Sequence, residues 1–118
     1  MKAVLLVSHG SRISKTKEEV EMLVEKIKVR SKLKIVCCAF LEIEKPSIPD
    51  GIKQCIDEGA TEVLLLMNFL NAGRHTNIDI PAIIKEEKRK YPNVAICMSK
   101  LIGQHEEIVE WFLDLIEP

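Results

Sequence analysis

Residues 61–90 read TEVLLLMNFLNAGRHTNIDIPAIIKEEKRK. The stretch opens on TEVLLLMNF (61–69), a third strand whose core "VLLLM" is apolar without alternation, the pattern of a parallel strand covered on both faces. It closes on AIIKEEKRK, where the apolar-then-charged pattern predicts a helix. Pro81 belongs in the first turn of that helix, so the helix begins no earlier than about Asn77. Between the two lies FLNAGRHTNIDIP (69–81), with a Gly, an Arg, a His and two Asn, more polar chemistry than a connection needs. Strand, functional loop and helix make one βα unit.

Working outward, the unit recurs. KAVLLVS (2–8) is a nearly continuous apolar run, and residues 15–30 carry Val20, Leu23, Val24 and Ile27 at helical spacing. KIVCCAF (34–40) is a second strand. The helix after it opens with Ser47 three residues before Asp50, a capping-box pattern, and has Pro49 in its first turn. Ile48, Ile52 and Ile56 form its stripe, and Gly59 supplies the stop. NVAICM (93–98) is the fourth strand. Residues 105–116 close the chain as a helix with Ile108, Val109, Phe112, Leu113 and Ile116 on a buried side. Four βα units imply an α/β fold: one doubly wound domain over 1–118, with a four-stranded parallel sheet and helices on both faces.

Composition narrows the function. The 118 residues are 47% hydrophobic and 30% charged, which fits a globular domain burying roughly two-thirds of its unfolded surface. A net charge of −1 gives no global field for nucleic acid or an anionic membrane, so any anionic ligand is held by local groups. One Trp, one Tyr and three Phe offer no stacking platform for nucleic acid. No apolar run approaches the roughly 20 residues of a membrane span, and the N-terminus turns polar too soon for a signal peptide. The four cysteines (Cys37, Cys38, Cys55, Cys97) lack metal-finger spacing. They are expected to be buried, reduced thiols of a cytoplasmic protein, with Cys37 and Cys38 facing opposite sides of a strand. There is no GxGxxG, GxxxxGK[ST] or GxSxG, hence no nucleotide site is expected.

In open parallel sheets ligands bind at the carboxyl ends of strands, where the winding reverses. A strand order 2-1-3-4 places the reversal between strands 1 and 3. His9 ends strand 1 in AVLLVSHGSR and His75 lies just beyond strand 3, each near a glycine. Neighbouring strands are about 4.8 Å apart, so the two imidazoles can face one small object. A histidine after a strand is commonly a plain loop residue; two at corresponding junctions shift the reading towards function. Gly10 is expected to let backbone approach a ligand, and Gly73 to let the loop turn back. Arg12 and Arg74 flank the histidines and either bind anions or serve as surface charges. Glu42 and Glu44 end strand 2 on the same rim, as solvated groups or as cation-steering ones. His105, in IGQHEEI, is expected to be a loop or capping residue.

At HGSR, AFLE…P.IP, FLNAGRHTNIDIP and LIG.HE.I, in order along essentially the whole chain, the sequence resembles the small CbiX-type sirohydrochlorin chelatases. This group includes the archaeal CfbA nickel- and cobalt-sirohydrochlorin chelatases. The resemblance implies a class II chelatase-like half, a lobe of the two-lobed enzymes working as a homodimer. It implies insertion of a divalent metal (cobalt, nickel or iron) into sirohydrochlorin with release of two protons, in cobalamin, coenzyme F430 or siroheme biosynthesis. The metal is then a substrate, and no tightly bound cofactor is implied. By position, His9 and His75 become metal ligands, with His9 the proton acceptor. Leu70, Asn71, Ala72, Gly73, Arg74, His75 and Glu44 become substrate contacts, joined less firmly by Arg12 and Glu42. The histidine-rich insertion that some archaeal relatives carry after the third helix is replaced here by KRKYPNV.

The chemistry suits the residues. Metal insertion requires loss of two pyrrolic protons, and imidazole is a base near neutral pH. Two His ligands leave positions free for ring nitrogens. A carrier with the same site, or a hydrolase using HGSR, are the competing readings; the latter lacks further nucleophilic or phosphate-binding residues.

Overall fold

Each strand formed by these apolar runs is followed by a helix that must return across the sheet, so all strands point the same way. The computed structural model describes residues 1–117. Its elements are β1 (Lys2–Ser8), α1 (Ser14–Ser31), β2 (Ile35–Phe40), α2 (Ile48–Asp57), β3 (Glu62–Met67), α3 (Ile80–Lys90), β4 (Ala95–Leu101) and α4 (Ile108–Ile116). A π-helical turn, His75–Asp79, leads into α3, and a one-turn 3-10 segment, Ile102–Gln104, follows β4. The strands form one parallel sheet in the order β2-β1-β3-β4, with Leu5 beside Cys37 on one side and Leu65 on the other. This is the expected doubly wound architecture, with its reversal between β1 and β3.

Alternation along β1 sends Ala3, Leu5 and Val7 into one layer and Val4 and Leu6 into the other. The larger layer packs Leu5, Val63, Leu65 and Ile96 against Ile48 and Ile52 of α2 and Ile80 and Ile84 of α3. The smaller layer lies under α1, where Val20 and Val24 meet Val36 and Phe40. Each fully buried Leu or Ile stabilises the fold by about 1.5–3 kcal/mol relative to leaving it exposed. Ser47 caps α2, its Oγ accepting from the Asp50 amide at 3.2 Å, and Gly59 ends that helical unit at φ +110°. Cys37 and Cys38 do face opposite layers. The Cys55 thiol, donating to Cys37, holds the Cys37 thiol below its ordinary value and is itself pushed up by that bond and by burial.

Several expectations are corrected. Helical backbone starts at Arg74, three residues before Asn77, because the π turn closes Ile80 N–H onto the His75 carbonyl and so accommodates Pro81, which has no N–H to give. β4 runs on past Met98 to Leu101: a bulge opposite Leu65–Met67, where Ser99 Oγ accepts from the Met67 amide at 3.0 Å, lets it continue. Leu23 is 42% exposed rather than buried with Val20 and Val24, and Cys97 is exposed on the edge strand. The largest departure is α4. None of its residues is buried, and Val109, Phe112, Leu113 and Ile116 are exposed, since the helix does not return to the sheet.

Candidate functional site

The carboxyl ends of β1, β2 and β3 are tied together beyond the sheet. Leu41 and Glu42 amides donate to the Ser8 and His9 carbonyls at 2.9 and 3.0 Å, carrying the β1–β2 pairing two residues further. Asn68 donates to Ser8 Oγ at 3.0 Å and through its amide to Val7. Directly after this braced rim come His9, Glu42 and the loop leading to His75.

Gly10 sits at φ +106°, and a Cβ there would lie 1.9 Å from the Glu42 carbonyl oxygen. The close approach expected of Gly10 is therefore to the chain's own backbone. It seats the Glu42–Glu44 turn, in which the Glu44 amide bonds the Glu42 carbonyl at 2.8 Å across Ile43 at φ +71°. That is a strained γ-turn centred on a β-branched residue, the kind of backbone cost found at sites that must aim a side chain. What it aims is Glu42, whose Oε1 lies 2.9 Å from His9 Nε2.

His75 is placed by its own helical start. Thr76, 5% exposed, accepts from the Gly73 amide at 2.9 Å and donates to the Gly73 carbonyl at 3.1 Å, pinning the turn. Gly73 itself has open space where a Cβ would be and no positive φ, so the loop does not depend on its being glycine. Glycine is needed instead at Gly103, where a Cβ would meet the Leu70 carbonyl at 1.8 Å. One helical turn beyond His75, Asp79 Oδ2 lies 2.9 Å from His75 Nδ1. With Nδ1–H donating to Asp79, the Nε2 lone pair of His75 is free.

His9 and His75 meet with ring centroids 5.2 Å apart and planes at 54°. Donor atoms of His9, Glu42 and His75 all lie within 4.8 Å of one another, and the three side chains are solvent-accessible. Ligands about 2.1 Å from a common ion and separated as His9 and Glu42 are subtend roughly 90° at it, an ordinary cis angle. Donor atoms this close come within reach of one ion by small rotations of exposed side chains. His9 Nδ1 lies 3.2 Å from the Gly10 carbonyl and Nε2 faces a carboxylate, so both nitrogens point at acceptors. His9 and Glu42 thus present an imidazole nitrogen and a carboxylate oxygen side by side, two donor atoms that one metal ion can take.

The remaining sequence-predicted residues stand around this trio. Leu70, Asn71, Ala72, Gly73 and Arg74 are exposed along the loop. Arg12 and Arg74 are exposed and form no ion pair among the described residues. Glu44 is half-buried behind Glu42. His105 stands apart: its Nδ1 accepts from the Glu107 amide at 3.1 Å and its ring stacks on Trp111 at 5.5 Å. Sequence reasoning missed Asp79 and Thr76; the i,i+4 spacing of His75 and Asp79 on a helix was the available signal, obscured because the helix was expected to start at Asn77.

The fold and this donor cluster define a doubly wound α/β protein with a metal-type site at its topological switch point. The chain belongs to the CbiX family, whose model matches residues 3–118. A sirohydrochlorin ferrochelatase of Bacillus subtilis is 34% identical over 92% of this chain and 41% of its own length. A sirohydrochlorin cobaltochelatase of Methanococcus maripaludis is 44% identical over 71% of this chain and 58% of its own. Among solved structures, the sirohydrochlorin chelatase SirB from Bacillus subtilis subspecies spizizenii in complex with cobalt superposes with a TM-score of 0.88. It is 31% identical over 98% of this chain, which spans 49% of it. The chain therefore covers between about two-fifths and three-fifths of these relatives.

Proposed function

We propose that this protein is a sirohydrochlorin chelatase, which places a divalent metal ion into the tetrapyrrole and releases two pyrrolic protons. The observation that carries the proposal is the His9–Glu42–His75 donor cluster at the switch point, together with relatives named for this chemistry. His9 and His75 hold the incoming metal with Glu42 as a third, weakly committed donor. Free positions on the ion receive ring nitrogens one after another, so the metal is handed over stepwise. As the metal leaves, the Nε2 corner of His9 accepts one pyrrolic proton while the second passes to solvent, and Glu42 at 2.9 Å stabilises the imidazolium that forms. Asp79 keeps His75 in the tautomer whose Nε2 ligates.

Sirohydrochlorin carries carboxylates around its rim. Arg74 and Arg12, uncommitted beside the cluster, bind them, and the exposed loop Leu70–Arg74 and Glu44 line the macrocycle's edge. The relatives carry iron and cobalt in their names, and the donor set of two imidazoles and a carboxylate accepts cobalt, nickel or iron alike. Two copies of the chain assemble as a homodimer.

The test is direct. Purified protein is mixed with sirohydrochlorin and each of Co²⁺, Ni²⁺ and Fe²⁺, and absorbance of the macrocycle is followed. Insertion well above the spontaneous rate with at least one metal supports the proposal. Binding of both ligands at the spontaneous rate makes the protein a carrier.

A further inference from the structure

The turn that aims Glu42 carries a residue that folding gives no reason to choose. Ile43 stands at φ +71°, a conformation that a β-branched side chain adopts only under strain, whereas glycine or asparagine enters it readily. Aiming Glu42 requires the turn and not the isoleucine. The core does not require it either, since Ile43 is 57% exposed and belongs to neither core layer. A strained backbone that bears an exposed aliphatic side chain, next in sequence to a metal-type donor, points to a contact outside the chain.

Two more aliphatic residues share this placement. Ile78 lies three residues after His75 on the same helical start, where residues three and four apart share a face, and its neighbour Asp79 reaches back to the His75 ring at 2.9 Å. It is 54% exposed. Leu70 opens the loop that leads to His75 and is 60% exposed, its carbonyl seated where a Cβ on Gly103 would stand. Neither belongs to a core layer. Three exposed aliphatic side chains, from three separate segments, thus accompany the His9–Glu42–His75 corner.

A site for a small molecule is mostly apolar lining with a few placed polar groups. The three donors supply the polar groups and can hold an ion, but they offer no surface on which a large flat ligand could lie. We propose that Ile43 and Ile78, with Leu70, form an apolar ledge against the flat face of the tetrapyrrole, and that Ile43 occupies its strained position for this contact. The assignment rests on the chelatase reading above and names what seats the macrocycle over the donors. A tetrapyrrole has an apolar plane, a metal-binding centre and a charged rim. Ledge, donors and the exposed Arg12 and Arg74 answer these three in turn. Water leaves the aliphatic surface when the plane covers it, so the macrocycle is held whether or not a metal is present.

Ile43→Asn and Ile43→Val test it, with Val29→Asn, which removes an exposed aliphatic of α1, as the control. Asparagine tolerates positive φ, so Ile43→Asn should melt no lower than the wild type and keep its Co²⁺ affinity in the absence of tetrapyrrole. Its affinity for sirohydrochlorin, titrated without metal, should fall about tenfold, as for one aliphatic side chain no longer buried. In turnover the loss should appear in KM for the tetrapyrrole rather than in kcat. Ile43→Val keeps the strain and most of the apolar surface, and should bind within about fourfold of the wild type. Val29→Asn should bind as the wild type does. Undiminished sirohydrochlorin affinity in Ile43→Asn would overturn the ledge. So would a parallel loss of Co²⁺ affinity, which would reduce Ile43 to aiming Glu42, or a lower thermal midpoint, which would make it part of the fold. A wild type that binds sirohydrochlorin and inserts no metal sinks the chelatase reading and leaves the ledge standing. Metal insertion by the wild type, with undiminished affinity in Ile43→Asn, sinks the ledge alone.

Discussion

His9, Glu42 and His75 act as one unit or not at all. Removing either imidazole leaves too few donors to hold an ion against water, so His9→Ala and His75→Ala should each lower metal insertion by about 100-fold or more, above the 10–100-fold typical of lost outer partners. The double variant should be scarcely slower than either single one, as for groups serving the same step. Initial rates for the three variants decide this, and a His75→Ala protein turning over near the wild-type rate would dissolve the shared site. Asp79 is the subtler test, because among the described residues its carboxylate hydrogen-bonds only His75. Asp79→Asn should weaken metal binding by about tenfold while circular dichroism stays unchanged. Arg74→Ala should cost about 1.5–3 kcal/mol of sirohydrochlorin affinity, the worth of a charge-assisted hydrogen bond, with metal affinity in the absence of tetrapyrrole unmoved. Acid should slow insertion for a simple reason: a protonated imidazole neither ligates a metal nor accepts a proton.

At the scale of elements, strand ends set up the site and short backbone devices aim it. The extended β1–β2 pairing presses the Glu42 carbonyl onto Gly10, and the γ-turn at Ile43 swings Glu42 towards His9. Gly10→Ala must therefore both adopt a disfavoured φ and displace a backbone carbonyl, destabilising the fold by about 2 kcal/mol or more and disturbing metal binding. Gly73→Ala meets open space and should leave both nearly unchanged. Thermal melts and metal titrations of the pair separate a glycine that the backbone requires from one that it does not. The π turn is legible only in three dimensions. Pro81 warned of a boundary, but the boundary was displaced by three residues because a wider turn can dispense with the missing N–H.

For the whole molecule, the last helix is exposed along its entire length. If two copies form the proposed homodimer, the thermal midpoint should rise with protein concentration, by mass action; a monomer would melt at a constant temperature. Calorimetry between roughly 1 and 100 µM would show which holds. The sequence expectation that Ile108, Val109, Phe112, Leu113 and Ile116 lie on a buried side is not met: apolar periodicity states that a face wants burial, never whether this chain's own core supplies it.

The sequence by itself determined the alternation of strand and helix and the parallel sheet, because these follow from local periodicity and from the handedness of crossovers, whereas the order 2-1-3-4 and its switch point were a condition that the structure meets. It also singled out His9 and His75, since polar residues at strand ends have few structural duties. Only the tertiary structure decided that Glu42 rather than Glu44 completes the cluster, that Asp79 orients His75, and that Gly10 and Gly103 serve chain contacts. These depend on distances of 2 to 5 Å between segments far apart in sequence, and on φ values set by what packs behind them. No local pattern encodes such quantities, because each is settled jointly by two stretches of chain that meet only once the sheet has formed.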